Sequence, residues 1–202
     1  MGAFSLNSWY EERKSVNLEL EFLKDVQGGF QRLESNYNRN LAREEEVSSD
    51  MSNIMRHIED NLPYSDTLAV SMNRSLFSTS EIWADFGPYE SLKSAGLKVI
   101  SNDSLRNFIS QQFGQRLPGR IREQERISEF INSFNSMKPL WFTGESGYVP
   151  WNFEELKQDR GFIHLVNYSK AKSDHYIEYY NQIIPLLQAI SKTFDSEIEQ
   201  LE

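Results

Sequence analysis

The feature that most limits the fold is a run of apolar residues spaced three or four positions apart over residues 9–58. This spacing places them on one face of an α-helix, whereas a strand would alternate apolar and polar residues. The glycine pair 28–29 and the Asn-rich stretch 36–40 lower helix propensity, so a bend is expected there. Asn61 marks the end of the pattern. The sequence therefore predicts one long amphipathic helix over about residues 7–60.

A second long run with the same spacing lies near the end of the chain, over residues 156–201. Asn152 and Glu155 stand three residues apart ahead of it, and this capping-box arrangement predicts where the helix begins. Pro185 is expected to kink the helix, because proline removes one helical hydrogen bond. Two long amphipathic helices therefore open and close the chain.

Signals for several short helices fill the region between the two long ones. They are helix caps, capping boxes and the prolines and glycines that bound helices. The residues concerned are Ser65, Ser78 with Glu81, Pro88 with Gly96, Ser101 or Asn102, and Pro118 with Pro139. We therefore predict an all-α fold, a single domain over residues 1–202, in which the long first and last helices form an antiparallel hairpin covered by several short helices.

Composition restricts the classes of function. The net charge is −9, and a chain with this balance is a poor ligand for the phosphates of DNA or RNA, so no nucleic-acid partner is predicted. The sequence contains no cysteine, which removes disulfides, thiolate metal sites and cysteine nucleophiles. No run of about 18 apolar residues is present, so nothing in the sequence predicts a membrane span.

The usual catalytic and cofactor motifs are missing. Ser146 lies in the sequence Gly-Glu-Ser-Gly, which lacks the spacing of a nucleophile elbow and indicates a flexible loop. His57, His164 and His175 have no glutamate three positions before them, as a helical di-iron site would require, and solvated or capping roles are favoured over metal binding. No catalytic, cofactor-binding or metal-binding residue, no cofactor and no enzymatic activity are predicted.

Carboxylates crowd one part of the first predicted helix. Glu44, Glu45, Glu46 and Asp50 could attract a cation, but carboxylates without facing partners usually form a solvated helix surface. The solvated surface is the favoured interpretation.

Aromatic residues gather between the predicted short helices and the last helix. Trp141, Phe142, Tyr148, Trp151 and Phe153 fall within thirteen residues. Large rings lose much by remaining in water, so sealing one end of the helical bundle is favoured over a binding role. If a partner or ligand is bound, the candidate patch consists of Trp83, Trp141, Phe142, Tyr148 and Trp151.

The segment around Gly96 admits two interpretations. In the favoured one, Gly96 is a left-handed helix cap, Asn102 or Ser101 caps the next helix, and the neighbouring apolar residues Leu92, Leu97, Ile100 and Leu105 are core. In the alternative, Tyr89, Lys93 and Arg106 line a binding pocket.

Three stretches of the sequence point to a family. Residues 6–14 read LNSWYEERK, residues 88–106 read PYESLKSAGLKVISNDSLR, and residues 153–167 read FEELKQDRGFIHLVN. Together they resemble a family of small, membrane-anchored helical proteins from Bacteroidota without established catalytic or binding residues. The resemblance implies that residues 1–10 are the remnant of a membrane-exit segment, that the spanning helix precedes this chain, and that the helical domain lies on the periplasmic side of the inner membrane. It also implies that Leu6, Trp9 and Tyr10 are helical, poorly packed and at one end of the molecule.

These observations favour a non-catalytic, extracytoplasmic helical domain of a membrane-anchored protein. It would act as a scaffold or protein-interaction module whose partner is another protein or a second copy of itself. One alternative is a periplasmic helical domain that senses a small molecule between its helices. The other is a hydrolase of unrecognised type.

Overall fold

The computed structural model describes residues 2–144 and 147–202, with the side chains of residues 11–144 and 147–202. Eight α-helices lie in this part of the chain: α1 (Gly2–Glu59), α2 (Asp66–Ser75), α3 (Gly87–Ala95), α4 (Asp103–Gln111), α5 (Leu117–Ser133), α6 (Lys138–Trp141), α7 (Phe153–Leu156) and α8 (Arg160–Leu201). Among the described residues, β-type pairing is limited to one isolated bridge, between Phe142 and Pro150. The predicted all-α fold is confirmed.

The chain groups into two compact units. Unit 1 holds residues 1–37, 82–121 and 183–202, and unit 2 holds residues 38–81 and 122–182. Each unit therefore contains part of α1 and part of α8. The prediction of a single domain stays a prediction.

Helices α1 and α8 run antiparallel in both units. In unit 1, Lys24 Nζ lies 2.7 Å from Glu202 Oε1, and Gln188 Nε2 donates to Glu34 Oε1 at 3.0 Å. Later residues of α1 therefore meet earlier residues of α8. In unit 2, Asn40 Nδ2 donates to the hydroxyl of Tyr180 at 3.3 Å, and Ser48 Oγ donates to the carboxylate of Asp174. The predicted antiparallel pairing of the two long helices is confirmed.

Helix α1 is continuous through the glycine pair 28–29 and the Asn-rich stretch 36–40. It ends where predicted. Asn61 adopts a positive φ of 52°, its N–H donates to Ile58 O, and the N–H of Leu62 donates to His57 O. These bonds form a Schellman motif, which pairs the last carbonyls of the helix.

The N-terminal residues of α1 carry the membrane-exit prediction. Leu6, Trp9 and Tyr10 belong to the helix, as predicted. Their side chains lie outside the described residues, and so does their packing. No helix in residues 2–144 and 147–202 combines the length and apolar character needed to cross a membrane.

The predicted helix start at Ser78 and Glu81 is wrong, because the residues from 78 to 86 are not helical. Side chains of α1 hold this segment in each unit. In unit 2, Asn40 Nδ2 donates to Glu81 O at 2.9 Å and Arg43 Nε donates to Ser78 Oγ at 3.1 Å. In unit 1, the N–H of Trp83 donates to Asn36 Oδ1 at 3.1 Å. Amide and guanidinium groups of a neighbouring helix thus satisfy backbone groups that a local helix would have paired.

Two other helix boundaries differ from the prediction. Asn152 is a helix cap, its Oδ1 accepting the N–H of Glu154 at 3.1 Å, but Glu155 Oε1 accepts from the side-chain amide of Asn152 rather than from its backbone N–H, and the cap begins only the single turn of α7. The last long helix begins later, at a second cap in which Asp159 Oδ1 accepts the N–H of Phe162 at 2.8 Å. Pro139 stands in the first turn of α6 and does not close the preceding helix, because a first-turn proline lacks only an N–H that would have been unpaired.

Each unit has its own core. In unit 1 the ring of Phe30 lies 5.0 to 5.6 Å from those of Phe108, Phe113 and Phe194, measured between centroids. In unit 2 the core joins α1, α2, α8 and the segment around α6 and α7. Its buried residues are Val47, Met51, Ile54, Leu68, Met72, Leu76, Trp141, Phe142, Phe153, Leu156, Phe162, Leu165 and Val166.

The segment around Gly96 follows the structural interpretation. Gly96 has a positive φ of 100°, although its ψ of 121° lies outside the left-handed helical region that was predicted. Leu92, Ile100 and Leu105 are buried and Leu97 is half-buried. Asn102 is the cap of α4, accepting the N–H of Leu105 at 3.0 Å.

The residues of the alternative binding pocket have local structural partners. Tyr89 is buried and stacks on Phe113, with 5.5 Å between the ring centroids. Lys93 Nζ lies 3.5 Å from Glu90 Oε2. Arg106 Nη1 donates to the carbonyl of Ile100 at 2.7 Å. These contacts fasten the turn around Gly96.

Replacing Gly96 by alanine isolates the cost of its backbone conformation. Nothing lies within 4 Å of a Cβ added at Gly96 or at Gly119. Of these two glycines, Gly96 has a positive φ and Gly119 does not. We expect Gly96→Ala to lower the free energy of unfolding by about 1 kcal/mol, because a Cβ disfavours positive φ. Gly119→Ala, within α5, should leave it unchanged or raise it by up to about 1 kcal/mol. Urea denaturation followed by circular dichroism measures both, and equal effects of the two substitutions would contradict this account.

Candidate functional site

Most of the aromatic residues singled out by the sequence lie where the chain of unit 2 reverses direction. We call residues 141–144 and 147–151 the turn-back. The N–H of Trp151 donates to Trp141 O at 3.0 Å, and the N–H of Thr143 donates to Val149 O at 2.8 Å. The N–H of Tyr148 donates to Asn73 Oδ1, which ties the turn-back to α2. Residues 145–146 lie outside the described residues, and with them Ser146. The two arms of the turn-back are thus fixed to each other and to a helix.

The structure divides the predicted patch. Trp141 and Phe142 are buried in the core of unit 2, Tyr148 is half-buried, and Trp151 has 65% of its surface exposed. Trp83, 54% exposed, belongs to unit 1. Of the predicted patch, the structure therefore brings Trp141, Phe142, Tyr148 and Trp151 together within one unit. The first two of these seal the core and the last faces solvent.

Trp151 is exposed and yet held in place. Its indole Nε1 donates to Pro139 O at 3.0 Å, in addition to the backbone bond to Trp141. Leu140 and Val149, on the two arms of the turn-back, are 68% and 44% exposed. We call Leu140, Val149 and Trp151 the Trp151 surface. Sequence reasoning missed Leu140 and Val149, since a single aliphatic residue next to aromatic residues carries no sign of which way it faces.

Trp151 lines two hollows in the surface of unit 2. The large hollow, about 530 Å³, is lined by residues that include Pro139, Phe142, Thr143, Tyr148, Trp151 and Lys138. Lys138 is among the described residues that line it, and its Nζ lies 3.9 Å from the centroid of the Phe77 ring and 5.4 Å from that of Tyr148. Such contacts between an ammonium and aromatic faces are attractive and hold the lysine against the wall.

The second hollow differs in size and charge. It measures about 120 Å³ and is lined by residues that include Leu140, Trp141, Trp151, Asn152, Glu155 and Asp159. We call it the acidic hollow, because the carboxylates of Glu155 and Asp159 line it and the described residues around it include no basic side chain. Trp151 therefore lines both hollows, one beside Lys138 and the other beside Glu155 and Asp159.

The acidic patch of α1 is not the solvated surface that was favoured. Glu44 and Asp50 are buried, whereas Glu45 is exposed. The Glu44 carboxylate accepts hydrogen bonds from Ser80 and Ser173, and Lys172 Nζ lies 2.8 Å from its Oε2. Local sequence does not show these partners, because they lie 36 or more positions away from Glu44 along the chain.

Asp50 has partners of its own on α2. Arg74 donates to both carboxylate oxygens and Ser75 donates to Oδ2. Burial acts to raise the pKa of Asp50, but the hydrogen bonds from Arg74, Ser75 and Ser71 outweigh it and hold the pKa below its usual value. Both buried carboxylates therefore act as structural ion-pair partners within unit 2.

The three histidines contact different residues. His57 is buried, with Nδ1 2.9 Å from Asn53 O and Nε2 3.4 Å from Ser65 Oγ. His175 is exposed and lies 3.8 Å from Glu123. His164 is exposed beside the rings of Phe130 and Phe134. In the described part of the chain, no group of three or more His, Cys, Asp or Glu side chains is placed to hold a metal ion.

Compared with known proteins, the chain matches no protein-family model, no curated protein and no solved structure. The resemblance to membrane-anchored proteins of Bacteroidota stays a prediction. Function must therefore be argued from the chemistry of the site itself.

The Asp50–Arg74 pair predicts a specific dependence of stability on pH. A carboxylate whose pKa is lowered by folding contributes stability above its unfolded pKa of about 3.9, and this contribution is lost as pH falls through the folded pKa. At pH 7 we expect Asp50→Asn to lower the free energy of unfolding by about 1–3 kcal/mol, because Arg74 and Ser75 lose a charged acceptor. The difference from wild type should shrink steadily below about pH 4.

Urea denaturation at several pH values measures this difference, with Glu45→Gln on the exposed side of α1 as the control. A difference between Asp50→Asn and wild type that stays constant down to pH 2 would contradict the proposed role of the pair.

Proposed function

We propose that this chain is a non-catalytic, protein-interaction domain that docks a protein partner on the Trp151 surface. One observation carries the proposal: Trp151 is 65% exposed while its indole N–H and its backbone N–H are both hydrogen-bonded to the chain. The ring is thus presented to solvent in a fixed orientation.

The exposure of this ring has a cost that a partner would relieve. About two thirds of a tryptophan surface left in water corresponds to roughly 3 kcal/mol of unused burial, at about 25 cal/mol per Å². Leu140 and Val149 extend the exposed apolar area. A ring already held in its bound orientation also loses little conformational freedom on association, which favours affinity. Tryptophan is among the residues that most often dominate binding energy at protein interfaces.

The large hollow offers a receptor for an apolar side chain of the partner. Its walls include Pro139, Phe142, Tyr148 and Trp151, and the ammonium group of Lys138 lies over the rings of Phe77 and Tyr148. A partner that covers the Trp151 surface could insert one apolar side chain here, as anchor residues do in well-packed interfaces.

The cellular placement in this proposal comes from the family resemblance. On that basis the domain is held at the inner membrane by a helix that precedes this chain, and it works on the periplasmic side as a scaffold or assembly partner. The partner is another protein or a second copy of this one.

A small-molecule sensor is the second candidate, and the large hollow is the observation that favours it. Its volume of about 530 Å³ falls within the range of about 300–1,000 Å³ typical of ligand pockets. A ligand there would be expected to raise the melting temperature of the purified protein, whereas Trp151→Ser would abolish that shift.

Site-specific photo-cross-linking in native cells tests the protein-interaction proposal. A benzophenone amino acid placed at Val149 in the full-length protein should give one cross-linked product of defined mass, identified by mass spectrometry. Trp151→Ser should remove this product, because the partner loses its main apolar contact.

Trp83→Ser is the matched control, since Trp83 is exposed to a similar degree but belongs to the other unit. The control should leave the product unchanged. Absence of any product at Val149, or equal loss with both substitutions, would refute the assignment of the Trp151 surface.

A further inference from the structure

We propose that the large hollow receives the C-terminal residue of the protein partner, an apolar residue whose free carboxylate pairs with Lys138. This inference rests on the proposed function, because it names the chemistry of the partner that the Trp151 surface docks. It is carried by the charge of Lys138, by the accessible walls of the hollow and by its volume.

Lys138 brings a positive charge to the large hollow. Its Nζ lies over the rings of Phe77 and Tyr148, at 3.9 Å and 5.4 Å from their centroids. No carboxylate forms an ion pair with this ammonium group in the part of the chain that the structure describes. Contact with an aromatic face attracts an ammonium group but leaves its charge in place. An anion that enters the hollow would therefore pair with Lys138.

The position of Lys138 is fixed by the chain around it. Its carbonyl accepts the N–H of Phe142 at 2.9 Å, and the carbonyl of the next residue, Pro139, accepts the indole N–H of Trp151 at 3.0 Å. Lys138 is also half-buried. A charge that is partly removed from water attracts a counter-ion more strongly than a fully solvated charge does. The ammonium group is thus placed for an anion before a ligand binds.

The walls that a ligand can reach are largely apolar. Pro139 and Trp151 are exposed and Tyr148 is half-buried. Phe142 also lines the hollow, but it is buried and adds little accessible surface. These walls favour an apolar side chain, whereas Lys138 favours a carboxylate. The C-terminal residue of a protein can carry both groups on one residue.

The volume of the hollow favours the end of a chain over a single acidic side chain. About 530 Å³ corresponds to roughly 18 water molecules, at about 30 Å³ each. An aspartate or glutamate side chain that reached in from a passing segment would leave most of this space unfilled. A C-terminal residue brings its side chain, its backbone and its carboxylate into the same hollow.

The net charge of −9 restricts the rest of the partner's C-terminal segment. Charges of like sign repel over about one Debye length, roughly 8–10 Å at moderate ionic strength. A segment with several carboxylates would therefore be repelled by this acidic protein. We expect a single carboxylate, at the end of a segment whose other residues are apolar or basic.

Two pools of random octapeptides test the proposal with the complete chain. The pools are identical except that one ends in a free carboxylate and the other in an amide. Peptides retained by the immobilised protein are identified by mass spectrometry. We expect the acid pool to give retained peptides that share an apolar last residue. The amide pool should give about tenfold fewer, because a charge-assisted hydrogen bond at a half-buried site contributes about that factor.

Substitutions of Lys138 separate its charge from its packing. A retained peptide is prepared as the acid and as the amide, and fluorescence anisotropy should show about tenfold tighter binding of the acid to the wild-type protein. Lys138→Met keeps the contact with the aromatic rings, so it should mainly reduce this preference, to about twofold or less. Lys138→Arg keeps the charge and should retain the preference.

Lys170→Met is the matched control. Lys170 is half-buried like Lys138 and lies in the same unit, but it pairs with Asp174 and does not line the large hollow. The control removes the same charge from the protein and should leave the preference for the acid intact.

A third form of the retained peptide separates a chain end from an acidic side chain. It ends in an amide and carries its one carboxylate on a glutamate in place of the last residue. We expect it to bind as weakly as the amide form. Binding as tight as that of the acid form would show that the hollow takes an acidic side chain, and the proposed chain end would be wrong.

The outcomes separate this inference from the proposed function. Equal retention from both pools, no retained peptide in either pool, or a preference for the acid that survives Lys138→Met would overturn the terminal carboxylate. The Trp151 surface would then still stand if the cross-link at Val149 forms and is lost with Trp151→Ser. If that cross-link also fails, the proposed function is wrong and this inference falls with it.

Discussion

The burial of one apolar face along α1 is the constraint on which the rest of the structure depends. An isolated α1 would expose its apolar face to water, and most helical stability in proteins comes from packing such an amphipathic face. In each unit α8 runs antiparallel against α1 and covers part of that face. The short helices cover further parts of the apolar face of α1, around the ring of Phe30 in unit 1 and around Met51 and Ile54 in unit 2. The all-α architecture follows from this requirement.

Polar residues on the buried side of α1 decide where the other segments lie. Asn36 and Asn40 bind backbone groups of the non-helical segment, and Glu44 and Asp50 are paired with Lys172 and Arg74. A buried polar group without a partner costs about 1–3 kcal/mol, so arrangements that leave these groups unpaired are disfavoured. The apolar face thus drives association, while the polar residues select one alignment of the helices and loops in each unit.

The Trp151 surface likewise depends on apolar burial together with hydrogen bonds. Trp141 and Phe142 enter the core of unit 2 and fix one arm of the turn-back, and the hydrogen bonds between the arms then leave Trp151 facing solvent. The acidic hollow depends equally on local capping. Glu155 and Asp159 stand where they do because each serves a cap at the start of a neighbouring helix. The acidic hollow is therefore lined by residues that also take part in beginning helices.

The sequence by itself determined the all-α class, the two long helices, the end of α1 at Asn61 and the cap of α4 at Asn102, because the spacing of apolar residues and the chemistry of caps are local along the chain. It also placed Trp141, Phe142, Tyr148 and Trp151 in one candidate patch. Only the tertiary structure decided which of these rings is buried, that Trp83 belongs to another unit, and that Glu44 and Asp50 are paired inside a core. The physical reason is that burial and charge pairing depend on partners from distant positions in the chain, and the local sequence does not identify those partners.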